Sequence, residues 1–507
     1  MFPKAVRRVV LTSSLLILSL SLLGCGSGEV STYREQTPST SNESVEALDI
    51  TDEVPSASIT WESCYQIYEC GVIEVPIDYE GPDLGTIQID LIRIRASVES
   101  PLGTLLINFG GPGASGTEIV SMYGSLWEFA FPEFDVIGFD PRGVGKSAQV
   151  QCPFEPDNDE QSVFDDGEDL SELFEQAEEY AKACVEMSNG LAVHIGTNNV
   201  ARDMDRIREA LAVDQITYLG YSYGTRIGAV YASLFPDHVR AMILDGPVSP
   251  KDHVSSFTPI QGQGFETAWS RFAQSCDSDR SCPLNQYGGA EEAFRIVNET
   301  LKVSNFTVDG GRELTRGEFM LGTASALYSP FTWPDLINGF MAMIDNGDGS
   351  IHQELADQLA GRREDGSYDN SQAVLFLVNC ADDPKRPSKE FIRKAVDEVA
   401  DQLPHFGPAI RGDTGCAGLE ESLDPLHVGS ADLVTPALVI AMEGDPATPA
   451  AWGPGLVDSI GDAVLISSDG DGHGAFLTNS NCVTEVVYDY LLELIVPEDG
   501  WSCKEPK

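Results

Sequence analysis

"YLGYSYGTRIG", Tyr218 to Gly228, sets Ser222 between Gly220 and Gly224 in the pattern Gly-x-Ser-x-Gly. The flanks decide what the pattern means. "ITYL" (216–219) is an apolar run of strand type, and "TRIGAVYASLF" (225–235) reads as a helix. A strand that enters a helix through two glycines makes a sharp turn, which lifts a serine hydroxyl above the end of a sheet. Gly220 and Gly224 leave room for that turn, and Gly228, Ala229 and Ala232 let the helix lie close on the strands. The helix N-terminus also favours negative charge beside the hydroxyl. Ser222 is therefore the candidate nucleophile.

The sheet extends on both sides of this turn. "VIEVPIDY" (72–79) and "TIQIDLIRIRA" (86–96) alternate apolar and polar residues and read as an antiparallel pair. "GTLLINF" (103–109), "FDVIGFD" (134–140), "RAMILDG" (240–246), "PALVIAME" (436–443) and "AVLISSD" (463–469) are further strand candidates. Helical patterns separate several of them. In "NNVARDMDRIREALAV" (198–213), Val200, Met204, Ile207 and Leu211 share one face. Strands alternating with helices predict an α/β fold, a mostly parallel central sheet flanked by helices. Residues 250–430 break the rhythm with helical patterns such as "FETAWSRFAQSC" (265–276) and "EEAFRIVNETLKV" (291–303). They read as a large, mainly helical lid inserted between two strands, dividing the core into 58–249 and 431–507.

A serine hydroxyl needs a base, and the base needs an orienting carboxylate. In folds with this turn the order is Ser, then acid, then His. Of seven histidines, His473 in "DGDGHGAF" follows the last strand candidate, in a glycine-rich loop suited to presenting an imidazole. Asp445 in "AMEGDPATP" lies just past the strand before it and is the expected acid, with Glu443 and Asp469 as rivals. An oxyanion hole would draw one N–H from Tyr223 and one from the loop "NFGGPG" (108–113), where Gly111 is favoured over Gly110. "DPRGVGKS" (140–147) reads as a structural turn beneath the site. No cofactor is expected. No metal is expected either, since no Cys-x-x-Cys or Cys/His cluster occurs.

The N-terminus reads as a targeting segment. Lys4, Arg7 and Arg8 precede the apolar stretch Val9 to Leu23, so residues 1–24 are the expected signal peptide. "LLGC", ending at Cys25, resembles a bacterial lipobox, in which the cysteine is lipidated and holds the chain at a membrane surface. Ordinary signal cleavage beside an incidental cysteine is the alternative. Residues 25–57, rich in Ser, Thr, Glu and Pro, read as a flexible tether. The other ten cysteines suit an exported protein with disulfides. Pairing of sequence neighbours is the simplest scheme: Cys64 with Cys70, Cys152 with Cys184, Cys276 with Cys282, Cys380 with Cys416, and Cys482 with Cys503. A net charge of −49 argues against nucleic acid as a partner.

Taken together, "NFGGPGASG", "FDPRGVGKS", "YLGYSYGTRIGAVYASLFPDHVRAMILDGPVSP", "EGDPATP" and "GHG", in this order from about residue 60 to 503, resemble the secreted tripeptidyl-aminopeptidase-like α/β-hydrolases, relatives of proline iminopeptidases. The iminopeptidase branch usually places His before Gly-Gly-Pro-Gly. Here the residue is Phe109, a departure that points away from a strict proline iminopeptidase. The resemblance implies an α/β-hydrolase fold and a serine exopeptidase that acts on peptides near a free N-terminus; the sequence leaves the oligomeric state open, with a monomer expected. Its C-terminal segment would carry the acid and the base. Such an enzyme must hold an ammonium group, and in "CADDP" (380–384) Asp382 is preferred over Asp383 for that task. A carboxylic-ester hydrolase on the same triad is the alternative. A non-catalytic peptide-binding lipoprotein is a third reading, and the Ser222, Asp445 and His473 set argues against it.

Overall fold

Two adjacent buried strands fix the frame of the molecule. In β4 (Gly103–Asn108) and β6 (Ile216–Tyr221) almost every residue is buried, as expected of central strands covered on both faces. They run parallel, with Asn108 opposite Gly220, so the Gly-Gly-Pro-Gly loop and the Ser222 turn leave the sheet side by side. The structure is a computed structural model. It describes residues 58–504 apart from residue 66 and segments 82–83, 154–169, 252–253 and 408–413. The expected signal peptide 1–24, Cys25 and the tether 25–57 lie outside the described residues.

The other strands are β1 (Glu62–Cys64), β2 (Tyr68–Pro76), β3 (Thr86–Ile94), β5 (Phe134–Phe139), β7 (Val239–Asp245), β10 (Ala437–Gly444), β11 (Ala463–Asp471) and β12 (Trp501–Cys503). The sheet order is β1-β2-β3-β5-β4-β6-β7-β10-β11-β12. β1, β2, β3 and β5 pair antiparallel in turn. From β5 to β12 every neighbour is parallel. The chain passes from β4 to β5 on one side and to β6 on the other. The carboxyl ends of β4 and β6 therefore border a topological switch point, the usual place for a site in such sheets. The expected hairpin is present, with Val75 opposite Ile87. β1 and β12 were not foreseen, because three residues each are too few to carry a period.

Helices cover the sheet. They are α1 (Gly116–Met122), α2 (Gly124–Ala130), α3 (Leu170–Met187), α4 (Thr197–Ala210) and α5 (Tyr223–Leu234), then α6 to α12 in the inserted region, and α13 (Gly453–Ile460) and α14 (Asn481–Glu493) at the end. The face of α4 read from the sequence is the buried one, with Val200, Met204 and Ile207 in the main core beside Ile227 and Val230 of α5. α1 lies so close to β5 that a methyl on Gly116 would stand 2.2 Å from the Phe139 oxygen.

Between β7 and β10 lie α6 (Val254–Ser278), α7 (Ala290–Leu301), the small pair β8 (Phe306–Thr307) and β9 (Glu313–Leu314), α8 (Arg316–Leu327), α9 (Trp333–Asn346), α10 (Ser350–Ala360), α11 (Ser371–Asp382) and α12 (Lys389–Ala400). Helices α6 to α10 share an aromatic core of their own that includes Trp269, Phe272, Phe294, Phe319 and Phe340. α11 is different. Its Val374, Leu377 and Val378 are buried in the main core. α12 packs Ile392 and Val396 with Phe174 of α3. The inserted region is thus a cap over 254–360, then α11, which belongs with the core, and α12, which packs beside α3.

Five disulfides join the expected neighbours: Cys64–Cys70, Cys152–Cys184, Cys276–Cys282, Cys380–Cys416 and Cys482–Cys503. Such bonds persist in oxidising compartments, so the folded chain is extracytoplasmic. Among the described residues no helix is long and apolar enough to cross a membrane.

Candidate active site

Ser222 occupies the turn between β6 and α5 with φ 54° and ψ −125°, a strained conformation for a residue with a side chain. Its N–H donates to the Asp245 carbonyl at 2.9 Å. Neither flanking glycine could carry a side chain. A methyl on Gly220 would lie 2.4 Å from the Gly224 oxygen, and one on Gly224 would lie 2.8 Å from the Asn108 oxygen. The turn therefore depends on two glycines and on the neighbouring strand.

His473 follows β11. Its Nδ1 is 2.9 and 3.0 Å from the two carboxylate oxygens of Asp445, which follows β10. Glu443, one rival, is exposed, and neither it nor Asp469 meets the ring. Asp445 is buried and accepts further hydrogen bonds from the amides of Ala447 (2.9 Å), Thr448 (2.8 Å) and Gly474 (3.2 Å) and from the Thr448 hydroxyl (2.9 Å). Burial alone would depress the imidazole. The Asp445 carboxylate, with Asp245 behind it, nevertheless holds His473 above the ordinary histidine range. The bond to Asp445 assigns the proton to Nδ1 and leaves Nε2 as the basic nitrogen. Between base and serine stands Gly246, where a methyl would be 3.3 Å from His473 Cε1 and 3.5 Å from the Ser222 nitrogen.

The Gly-Gly-Pro-Gly loop packs directly on the turn. A methyl on Gly110 would meet the Tyr221 oxygen at 2.5 Å, Ser222 Cβ at 2.8 Å and the Tyr223 nitrogen at 3.0 Å. The Gly110 N–H is already donated to Asn108 Oδ1 at 2.9 Å. The amides of Gly111 and of Tyr223, the first residue of α5, have no acceptor among the described residues. The "DPRG" turn supports this loop. Asp140 accepts from the Ser115 hydroxyl (2.8 Å) and the Thr117 amide (2.9 Å), just past Gly113. Arg142 is fully buried on Asp203 (2.7 Å) and on the carbonyls of Pro76, Ile77 and His194.

A serine at a strand-to-helix turn, near a His-Asp pair with a buried carboxylate and beside unpaired amides, is the arrangement of an α/β-hydrolase, and sequence comparison agrees. Residues 103–286 match the model of the alpha/beta hydrolase fold, and residues 404–503 match that of the TAP-like protein. The chain is 34% identical over 458 residues to serine protease Hip1 of Mycobacterium tuberculosis, covering 86% of this chain and 87% of that protein. This chain belongs to the α/β-hydrolase family. It is also similar to carboxylesterase B of Mycobacterium tuberculosis (31% identical, covering 88% of this chain and 89% of that one) and to the tripeptidyl aminopeptidase of Streptomyces lividans (28% identical, covering 86% and 84%).

In this hydrolase Asp382 corrects an expectation. It ends α11, 4% exposed, with Oδ1 taking the Thr197 amide (2.8 Å) and Oδ2 taking the Thr197 hydroxyl (2.6 Å) and Arg226 (3.1 Å). The Thr197 hydroxyl in turn meets the Tyr223 hydroxyl at 2.7 Å. Asp382 therefore sits at the start of α4 and beneath the nucleophile turn, with both oxygens engaged, and is not placed to hold a substrate ammonium. Because α11 is buried in the core, its last carboxylate faces inward.

Three residues at the site escaped the sequence reading. Thr448 bonds Asp445 and lies 3.3 Å from His473 Nδ1. Its signal was the Asp-x-x-Thr spacing of a side-chain-capped turn. Tyr328, from the cap, accepts the His473 N–H at 2.7 Å and sets its ring edge-on to the imidazole at 5.3 Å. Nothing local in the sequence marks it. Asp245 had a signal, an acid closing the apolar run Ala241–Leu244.

Proposed function

We propose that this hydrolase is a serine exopeptidase releasing short N-terminal pieces from peptides. The observation that carries the reading is the His473–Asp445 pair set across Gly246 from the strained Ser222. In the proposed cycle Ser222 Oγ attacks the scissile carbonyl while His473 Nε2 takes its proton. The Gly111 and Tyr223 amides receive the oxyanion. His473 then gives the proton to the leaving amine, and water, activated by the same nitrogen, resolves the acyl-enzyme. Asp445 holds the ring and supports the imidazolium. The relatives named serine protease and tripeptidyl aminopeptidase support the peptide as substrate. A cap in contact with the base, through the Tyr328 carbonyl and ring, is compatible with a substrate that enters by one end. The proposal includes export by residues 1–24 and a lipid on Cys25 that holds the enzyme at a membrane surface.

Ester hydrolysis is the second reading, favoured by the likeness to carboxylesterase B. Purified protein is to be offered one peptide series with free and with N-acetylated ends, and short esters, with products read by mass spectrometry. The exopeptidase reading predicts pieces cut from free N-termini and little cutting of blocked ones. Equal cutting of both would sink it, and turnover of esters alone would establish the second reading.

A further inference from the structure

Asp245 closes β7 directly behind the site, 1% exposed. Its carbonyl accepts the Ser222 N–H at 2.9 Å. Its side chain reaches the other way. Oδ2 accepts the Phe476 amide at 2.7 Å and the Ala475 amide at 2.9 Å, and Oδ1 accepts the Ala475 amide at 3.1 Å. These amides lie two and three residues past His473, in a loop outside any helix or strand. The next residue, Gly246, donates its N–H to Ile440 of β10, and a methyl there would meet both His473 and Ser222. One residue thus grips the nucleophile turn with its main chain and the base loop with its side chain.

An asparagine could accept both amides through one oxygen, so hydrogen bonding alone does not require an acid here. A buried carboxylate is costly unless its charge is used. The titratable groups facing it are Asp445 beyond β10, His473 beyond β11 and Tyr221 on β6. Burial pushes the Asp245 carboxyl up to about 7, against the pull of the Phe476 and Ala475 amides, and the Asp445 charge adds to the rise. His473 is the cation-forming group within its field.

We propose that Asp245 is a positioning residue of the hydrolytic centre, whose carboxylate fixes the His473 loop against Ser222 and whose charge supports the imidazolium. The inference rests on the serine-hydrolase reading, but not on the choice between peptide and ester. The test is the rate at which a fluorophosphonate labels Ser222, followed across pH in wild type, Asp245→Asn and Asp245→Ala, with thermal unfolding of each.

Asp245→Asn keeps the shape and removes the charge. It is expected to fold, to label about 10-fold more slowly, and to move the acid limb toward lower pH by up to about half a unit, since the carboxyl is partly ionised there and the lost anion disfavours the imidazolium. Asp245→Ala is expected to lose about 100-fold. If the alanine variant does not fold, the pH profile of the asparagine variant decides alone. Asp245→Asn labelling within about 2-fold of wild type, with an unmoved limb, would overturn the proposal. A wild type that does not label at all would overturn the hydrolase reading first.

Discussion

Asp445 holds the ring nitrogen of His473, and that bond sets the pH behaviour. In the proposed cycle His473 acts as a neutral base. The Asp445 carboxylate raises the imidazole, so activity should fall as pH drops through a value above the ordinary one of about 6.5. Asp445→Asn should move this limb toward acid and lower kcat by about 10⁴-fold, because the amide presents the wrong tautomer to the ring. A limb left in place, measured as kcat/KM against pH, would remove Asp445 from this role. The placement of Asp445 on His473, near the Ser222 turn, was legible in the sequence because chain order and strand ends narrow the choices to a few side chains. Asp382 was misread for a physical reason. A carboxylate in an acidic chain says nothing of its neighbours, and only the fold shows Thr197 and Arg226 saturating it. Tyr328 could not be read at all, since its contact with His473 joins positions 145 residues apart through backbone atoms.

Among the strands and helices, those that cross the core were the legible ones. β4, β5, β6 and β7 are apolar runs because both faces are covered, and the α4 stripe faces the sheet as its period implies. The inserted region was read as one lid, because apolar spacing marks a helix without naming what it packs against. Val374, Leu377 and Val378 point α11 into the main core, while Trp269 and Phe340 bind the cap to itself. The connections rest on buried polar anchors. Arg142 ties the "DPRG" turn to Asp203 of α4 and to the end of β2. Arg142→Ala leaves Asp203 buried without its partner and should cost about 3–5 kcal/mol in chemical denaturation. A loss below about 1 kcal/mol would mean that the pair is relaxed in solution.

The assembled molecule joins three features that one residue or helix cannot explain. Its charge of −49 opposes self-association, its five disulfides suit an oxidising compartment, and its cap reaches down to the base. The cap meets the core at Tyr328, whose carbonyl and ring both contact His473. The chemistry beneath belongs to the core, and it stands or falls with one hydroxyl. The most direct measurement is turnover of a free peptide by Ser222→Ala beside wild type, with thermal unfolding followed in both. The predicted result is a loss of about 10⁴-fold or more with the unfolding temperature kept. Turnover within about 10-fold of wild type would contradict the assignment of Ser222 as nucleophile and the hydrolytic centre built around it.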